Sequence, residues 1–565
     1  MDIIKKNNTA EIICFLLYCI GVIFITIFHE PWYDEFQAWE ISKASLHDIL
    51  FFIPHYEGHP PLWHLILKIF SSLNFNPEIG IRIPNLLFMF GAVWLLVFKS
   101  PFPKAVKLTL PFTYFLFYQY GVLSRPYSIF CFAMFLTAYL YEQRNEHPYK
   151  FVSALALLCL SNVYGMAVST GIILAWGIEI LNKQKIIEFF RDFIKTSTFK
   201  AMLIIFFLCL ILTINFSPKD NTFATNQILY KIDYVVKFIY SFFIFPADAL
   251  FYNFLNYANP SIAFTTADIS DFFIFSSQKV IFFWIGAFSG LLVNILFIKI
   301  FKNSKNFLQF ILPFVSLCLI TFFVYITTHH IGLLTVFYIY AFWALYPFSN
   351  NNQINKFTNI LSKLISIIII IQLYWNFSAC TSEYLYQYSS GRFFASYIKQ
   401  NNLQNYKIMC PLYHSLSYIN KNTGKSPYIK GYEPNNDIKT HDKIFTHNFL
   451  IQSISLITNT YFNKNVIDYY NVDNPNRPYV LHKYQSQKEL EQFRQIMRSK
   501  GLPDIFIGQG YFEYIFPEVK NPYQYYEVVA KFEAGHIWKN TIFSTDSSKI
   551  YVKKDILKKA INDKQ

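Results

Sequence analysis

The residues best suited to chemistry follow the first long apolar run of the chain. Asp34 and Glu35 lie just beyond an apolar segment over 12–28. A carboxylate at the mouth of a helix bundle can act as a general base toward a hydroxyl group, or it can bind a metal ion. The alternative is structural, because a helix dipole favours carboxylates in the first turn of a helix. The spacing alone leaves both interpretations open.

A second polar cluster comes later in the same loop. Glu57 and His59, together with Asp34, are candidate ligands for a divalent metal ion. His59 is followed by Pro60 and Pro61, and a residue before proline is pushed out of the α region. We therefore expect His59 on an extended turn, with a helix beginning after the prolines. The alternative for His59 is an ordinary solvated loop histidine.

Four basic residues fall near the ends of other apolar segments: Arg82, Arg125, His329 and His330. A guanidinium group matches the geometry of a phosphate, which makes the two arginines candidate phosphate ligands. The two histidines are further candidate partners for a phosphate or a carboxylate. The alternative for the arginines is snorkelling of the charged head group to the membrane interface.

These residues must be positioned by helices in a membrane. The chain has 565 residues, of which 53% are hydrophobic and 20% aromatic. This composition, with apolar runs near spanning length, predicts a polytopic α-helical membrane protein. The predicted segments number about eleven, with ends uncertain by a few residues: 12–28, 79–98, 104–121, 126–141, 150–163, 165–181, 199–216, 278–300, 307–327, 331–348 and 357–377.

Basic residues set the predicted orientation. If the segments alternate, the lysine clusters at Lys5–Lys6, Lys104–Lys107 and Lys299–Lys305 all fall on one side. The positive-inside rule makes that side the cytoplasm, so the N-terminus is cytoplasmic. These loops also explain the net charge of +14. Nucleic acid is not an expected partner, because no basic stripe with interleaved aromatic residues stands out.

The opposite side receives the loops that carry the candidate residues. They are the first loop at 29–78, the turn at 124–127, the long loop at 217–277, the turn at 329–330 and everything after about residue 378. The composition becomes more polar from 378, and short strands alternate with helices, one of them the amphipathic run over 487–501. We therefore predict a transmembrane domain over 1–377 and an extracytoplasmic α/β domain over 378–565.

Several short motifs together resemble one enzyme family. They are W-Y-D-E at 32–35, E-G-H-P-P-L-W-H at 57–64, I-R-I-P-N-L-L-F-M-F-G at 81–91, S-R-P-Y at 124–127 and H-H-I-G-L-L at 329–334. In this pattern the chain resembles the GT-C membrane glycosyltransferases, which include protein O-mannosyltransferases and lipid A aminoarabinose transferases. The resemblance covers about residues 1–350, and the loop containing the first two motifs is its most specific part.

The resemblance implies a fold, a reaction and a set of partners. A GT-C enzyme takes a polyprenyl-phosphate-linked sugar as donor and transfers the sugar at the extracytoplasmic face to a glycan, lipid or protein acceptor. On this chain, Asp34 becomes the catalytic base with Glu35 beside it. Glu57 and His59 line the donor or a metal ion, and Arg125 meets the phosphate. Membrane lipids are the surroundings, and the bacterial inner membrane is the expected location.

Two other classes of function remain open at this point. A transporter or flippase for lipid-linked saccharides would place charged residues in the middle of the membrane and often shows internal repeats. Here the notable charges cluster near one face, and we see no repeat. A non-catalytic envelope assembly protein, with the C-terminal domain as a binding module, is the third alternative.

Overall fold

The structure is a computed structural model, and it describes most of the chain. The predicted loop over 217–277 lies largely outside the described residues, and so does most of the predicted amphipathic helix over 487–501. The described residues are 8–31, 33–181, 193–216, 231–251, 253–254, 277–302, 307–323, 328–345, 355–385, 391–409, 413–420, 428–429, 443–449, 495, 498–508, 519, 521–538 and 541–557.

Helices dominate the described residues. In chain order they are α1 (Thr9–Phe28), α2 (Tyr33–Ser42), α3 (Ile53–Glu57), α4 (Leu62–Ser72), α5 (Pro77–Lys99), α6 (Lys104–Thr109), α7 (Tyr127–Leu140), α8 (Pro148–Ser161), α9 (Val163–Leu181), α10 (Ser197–Phe216), α11 (Lys231–Ile239), α12 (Phe245–Leu250), α13 (Ser277–Lys302), α14 (Phe307–Phe323), α15 (Ile331–Leu345), α16 (Asn355–Leu385) and α17 (Gly391–Gln400).

Six of the described helices are long and apolar enough to cross a membrane, namely α1, α5, α9, α10, α13 and α16. Five other apolar helices are shorter: α4, α7, α8, α14 and α15. The chain is therefore a helical membrane protein with several candidate spans. The predicted total of about eleven spans remains a prediction.

The third predicted segment, over 104–121, is not one regular helix. It begins as α6, continues in a 3₁₀ turn at Leu110–Phe112 and ends in a π-helix at Phe115–Val122. Pro111 lies in the 3₁₀ turn, and because proline has no N–H group it interrupts α-helical hydrogen bonding. Every residue of the π-helix is buried. π-helical turns are rare and occur frequently at functional sites.

Contacts between residues divide the chain into two units. Unit 1 contains Met1–Ile27, Leu46–Ile66 and Arg82–Thr381. Unit 2 contains Phe28–Ser45, Leu67–Ile81 and Ser382–Gln565. The second unit therefore groups the two ends of the first predicted loop with the C-terminal part of the chain. The sequence-based division into 1–377 and 378–565 remains a prediction.

Unit 2 contains the described strands. They are β1 (Ile408–Met409), β2 (Tyr413–Asn420), β3 (Tyr428–Ile429), β4 (Lys443–Phe449), β5 (Ile505–Gly508), β6 (Tyr526–Trp538) and β7 (Thr541–Lys553). One sheet has the order β1-β5-β7-β6, and the other has the order β3-β2-β4. Only the β1–β5 pair is parallel among the described pairs.

A helix packs on the four-stranded sheet. Phe394 and Ile398 of α17 share a buried apolar cluster with Ile505 of β5 and with Ile550 and Val552 of β7. The two helix positions are four residues apart, so both lie on one face of α17. Helix-on-sheet packing of this kind agrees with the predicted alternation of strands and helices after about residue 378. The separate α/β domain remains a prediction.

Candidate functional site

The first group of candidate residues lies in unit 1, between α3 and α4. Helix α3 ends at Gly58, which has a φ of 68° and therefore occupies the left-handed region that glycine adopts most easily. Pro60 and Pro61 then lead into α4. His59 lies on this short connection and is partly buried, whereas His64, in the first turn of α4, is only 5% exposed.

Both histidines are neutral at physiological pH. Burial, followed by the positive charge of Arg125, lowers the pKa of His59 to about 4. Burial, Arg125 and His59 lower the pKa of His64 to about 3. Within the described part of the chain, Nδ1 of His59 and Nδ1 of His64 are buried without a hydrogen-bond partner. Each neutral ring can therefore still donate or accept one hydrogen bond there, depending on its tautomer.

His329 and His330 are positioned by the close approach of the backbone at Gly332 to the side chains of Phe115 and Tyr120. They form a 3₁₀ turn at Thr328–His330 directly before α15. A Cβ atom added at Gly332 would lie 2.2 Å from Phe115 Cδ1 and 2.7 Å from Tyr120 Oη, so only glycine fits. The start of α15 therefore lies directly against the π-helix. Tyr120 Oη donates a hydrogen bond of 3.1 Å to the carbonyl oxygen of His329, which fixes this turn.

Aromatic rings surround His330. Its ring centroid lies 4.7 Å from that of Tyr164, 5.6 Å from that of Tyr127 and 4.2 Å from that of His329. Tyr164 Oη lies 3.2 Å from His330 Nδ1. Burial lowers the pKa of His330, and the nearby His329, His59 and Arg125 lower it further. His330 is therefore a third neutral imidazole in the electrostatic field of Arg125.

The arginines are positioned by the same elements. Asn85 Nδ2 donates to the carbonyl oxygens of Tyr120 and Gly121, at 3.1 and 3.0 Å, and so ties α5 to the end of the π-helix. Arg82 lies one turn before Asn85 on α5, and Arg125 follows the π-helix; both are partly buried. Of the predicted basic residues, the structure thus places Arg125 and His330 with His59, and Arg82 on a helix bonded to the same π-helix.

We call His59, His64, Arg125 and His330 the histidine–arginine cluster. It contains one permanent cation and three neutral rings with N–H groups. It has a net positive charge, and charge-assisted hydrogen bonds from such donors are among the strongest that a protein makes to an anion. The arrangement is therefore suited to holding an oxyanion such as a phosphate. The sequence analysis noted His64 only as part of the first loop.

The acidic pair lies in unit 2, in the first turn of α2. Asp34 is partly buried, whereas Glu35 is completely buried. Glu35 Oε2 lies 2.9 Å from Nε2 of His29, and Nδ1 of the same ring lies 2.9 Å from Glu383 Oε1. Both ring nitrogens of His29 are thus occupied by carboxylates. Glu35 has a structural partner, and Asp34 is the more accessible of the two.

A second set of ion pairs lies beside this one. Arg392 Nη2 lies 3.0 and 2.9 Å from the two carboxylate oxygens of Glu78. The backbone N–H of Arg392 donates to Glu30 Oε1. Arg392 Nη2 also lies 3.4 Å from the carbonyl oxygen of His29, which connects the two sets. We call the whole group the His29 network; it consists of His29, Glu30, Glu35, Glu78, Glu383 and Arg392.

The sequence did not point to this network. His29 and Glu383 are 354 residues apart, and Arg392 and Glu78 are 314 residues apart. Short-range spacing carries no information on such pairs. The one available signal was a histidine and a glutamate directly after an apolar helix, at His29 and Glu30, where polar residues are ordinary.

The predicted metal ligands do not form a recognisable metal site. Glu57 is partly buried at the end of α3, near His59 in the chain, and Asp34 belongs to unit 2. Among the described residues, no three His, Cys, Asp or Glu side chains are grouped so that they could hold a metal ion.

Comparison with known proteins adds no relative: no family model, curated protein or solved structure matches this chain.

Proposed function

We propose that this chain is a GT-C-type glycosyltransferase of the bacterial inner membrane. In this proposal it moves a sugar from a polyprenyl-phosphate-linked donor to an envelope acceptor at the extracytoplasmic face. The observation that carries the proposal is the histidine–arginine cluster, which offers a cation and neutral N–H donors to an anion. The motif resemblance of the first 350 residues supports the same conclusion.

The cluster suits a phosphate that is leaving a sugar. Polyprenyl phosphate is already a good leaving group, so the reaction needs no strong general acid. It does benefit from hydrogen-bond donors that are held in place where negative charge develops. Arg125 supplies the permanent positive charge. The lowered pKa values of His59, His64 and His330 keep these rings neutral at neutral pH, so each supplies an N–H group but no charge. Arg82 and His329 are secondary candidates for contacts with the donor.

Asp34 is the residue to which we assign the role of base. Glu35 is completely buried and bonded to His29, whereas Asp34, its neighbour, is only partly buried. A carboxylate that keeps some exposure can accept a proton from an acceptor hydroxyl group. Glu57 and His59 remain candidates for lining the donor sugar.

The reaction is a single displacement at the anomeric carbon. The acceptor oxygen forms a bond to C1 of the sugar while the bond from C1 to the phosphate oxygen breaks. Asp34 takes the hydroxyl proton, and polyprenyl phosphate leaves with the bonding electron pair. One displacement inverts the anomeric configuration. A product with retained configuration, identified by NMR, would contradict this mechanism.

Mass spectrometry of envelope glycans tests the proposal. Cells that lack the protein are complemented with the wild type, with Asp34→Asn or with Glu40→Gln as a matched control. Glu40 lies on the same helix as Asp34 and pairs at 2.8 Å with Lys43, three residues further along the chain. We expect one sugar to be missing in the deletion strain. The wild type and Glu40→Gln should each restore it, and Asp34→Asn should not.

The other outcomes separate the alternatives. Restoration by Asp34→Asn would remove Asp34 from the mechanism. An unchanged glycan profile in the deletion strain, with the protein abundant in wild-type membranes, would favour the transport or assembly alternatives. Accumulation of the lipid-linked sugar on the cytoplasmic face would identify the flippase alternative.

A further inference from the structure

The catalytic segment of unit 2 is held by a buried histidine between two carboxylates. His29 is completely buried, Glu35 has an exposed fraction of zero, and Glu383 is 2% exposed. Each ring nitrogen of His29 lies 2.9 Å from one carboxylate oxygen. An imidazole ring donates at both nitrogens only when it is protonated, so two ionised carboxylates at these positions favour the imidazolium form. Three buried groups thus form a chain in which the proton on His29 joins α2 to the end of α16.

The rest of the His29 network holds the same backbone. Arg392, at the start of α17, binds Glu78 with its guanidinium group and Glu30 with its backbone N–H. Its Nη2 atom also lies near the carbonyl oxygen of His29. The charged groups around His29 are therefore Glu35, Glu383, Glu30, Glu78 and Arg392. Carboxylates outnumber the cations in this group, so removal of the proton from His29 increases the excess of negative charge within it.

Asp34 depends on this arrangement through the backbone. Asp34 and Glu35 are consecutive residues in the first turn of α2, so the rotation of α2 that places Glu35 on His29 also sets the direction of Asp34. Trp39, one turn further along α2, packs closely on α5: a Cβ atom at Gly80 would lie 2.5 Å from the Trp39 ring. The contacts of Glu35 and Trp39 both help to fix the orientation of the helix, and Lys68 Nζ and Ser71 Oγ lie 3.4 Å from the carbonyl oxygen of Ser42 at its end.

We propose that His29 is a positioning residue for Asp34, and that the protonated His29, held by Glu35 and Glu383, keeps the transferase active. This proposal rests on the proposed function, in which Asp34 is the base. It gives the C-terminal part of unit 2 a role, since Glu383 and Arg392 hold the segment that carries Asp34. When His29 loses its proton, only one of the two carboxylates can receive an N–H hydrogen bond, and the link through His29 between α2 and the end of α16 is weakened.

The pKa of His29 sets the pH at which the ring loses its proton. Burial alone would lower the pKa of His29, but the carboxylates of Glu383 and Glu35 raise it to about 9. Sugar transfer should therefore decline as the pH rises through about 9. Glu383→Gln keeps the shape of the side chain and removes one carboxylate charge, so the decline should move to lower pH by at least about one pH unit.

The experiment measures kcat and KM of the purified full chain as a function of pH. The probes are synthetic polyprenyl-phosphate-linked sugars: a hexose, a pentose and an N-acetylhexosamine. We expect Glu383→Gln to shift the alkaline limb of kcat and to leave KM for the donor unchanged. Glu40→Gln, on the same helix but outside the network, should reproduce the wild-type profile. A Glu383→Gln profile identical to that of the wild type would overturn the proposal.

A second measurement serves if the Glu383→Gln protein is unstable. The titration of His29, followed by NMR of the histidine-labelled wild type, should have the same midpoint as the alkaline decline of kcat. Different midpoints would overturn the positioning role. The base role of Asp34 and the positioning role of His29 can be tested separately. An active Asp34→Asn protein would contradict both. An inactive Asp34→Asn protein together with an unshifted pH profile of Glu383→Gln would contradict only the positioning role.

Discussion

Arg392 Nη2 lies 3.0 and 2.9 Å from the two carboxylate oxygens of Glu78, and Nε lies 3.3 Å from Oε1, although 314 residues separate the two side chains in the chain. The two side chains are 31% and 16% exposed, so the pair is largely withdrawn from water. It joins the start of α17 to the start of α5 inside unit 2. A pair this far apart in sequence stabilises the folded chain without contributing to local helix formation.

Replacement of Arg392 should therefore destabilise unit 2. We expect Arg392→Ala to cost about 2 kcal/mol, because it leaves the Glu78 carboxylate partly buried without its cation. The measurement is the thermal unfolding midpoint of the detergent-solubilised protein. The matched control is Lys43→Ala, which removes a pair of similar exposure between residues three apart in the chain; such local pairs contribute only a few tenths of a kcal/mol, so the midpoint should change little. Equal midpoints for the two variants would contradict the prediction.

The sequence predicted more of the histidine–arginine cluster than of the His29 network. The helical membrane class and the turn at His59 follow from composition and proline positions. Short motifs indicate Arg125 and His330 only as candidate site residues. These signals come from residues that are close together in the chain, so they can be recognised in a single sequence. The partnership of His29 with Glu383 is not local, because it depends on how the chain returns after 354 residues.

The third predicted segment illustrates a different limit. Hydropathy alone suggested a regular spanning helix over 104–121, but the chain changes there from α to 3₁₀ to π geometry. Pro111 marked the interruption. The π-helix has no comparable signal, since its hydrogen bonds are completed by tertiary partners. Asn85, which donates to the carbonyl oxygens of Tyr120 and Gly121, is one of them.

The stability of the protein should fall at alkaline pH because of His29. The folded-state pKa of His29 is raised to about 9, above the ordinary value of about 6.5. The contribution of His29 is therefore complete below about pH 6.5 and is lost as the pH rises through about 9. The unfolding midpoint of the wild type should decline over this range. His29→Gln should be less stable at pH 6.5 and should decline less, so that the two curves converge; parallel curves would contradict this.

The neutral histidines predict the opposite dependence in unit 1. The pKa of His64 is lowered to about 3 in the folded chain. As the pH falls below about 6.5, His64 is therefore protonated in the unfolded chain but stays neutral in the folded chain. The stability contributed by a neutral His64 is complete above about pH 6.5 and is lost as the pH falls toward 3. We expect His64→Phe to lose less stability than the wild type between pH 7 and pH 4.5. The same loss in both proteins would show that His64 is protonated in the folded state.

The approach of α15 to the π-helix predicts an effect on the histidine–arginine cluster. Gly332→Ala should displace the turn that carries His330, because the new methyl group would overlap the ring of Phe115 and the hydroxyl group of Tyr120. Overpacking of this kind costs about 1–3 kcal/mol. The matched control is Gly177→Ala, since a Cβ atom there meets nothing within 4 Å. Unfolding midpoints and binding of a short-chain polyprenyl phosphate should fall for Gly332→Ala only.

Arg125 provides the most direct test of anion binding. Its positive charge reaches His59, His64 and His330 and helps to lower the pKa of each. Arg125→Gln should weaken binding of a short-chain polyprenyl phosphate by about 10- to 100-fold, because a charged hydrogen bond contributes about 1.5–3 kcal/mol. Arg125→Lys keeps the charge but not the forked geometry, so it should recover only part of the affinity.

The control for Arg125 is a lysine whose charge is remote from the cluster. Lys104 is exposed and lies 3.7 Å from Glu11, so Lys104→Gln removes one positive charge from unit 1 without touching the cluster. Isothermal titration calorimetry on the three variants and the wild type gives the affinities directly. If Lys104→Gln weakened binding as much as Arg125→Gln, the effect would come from the overall charge. Unchanged binding in Arg125→Gln would remove the phosphate from this cluster, because the neutral histidines alone carry no charge to attract it.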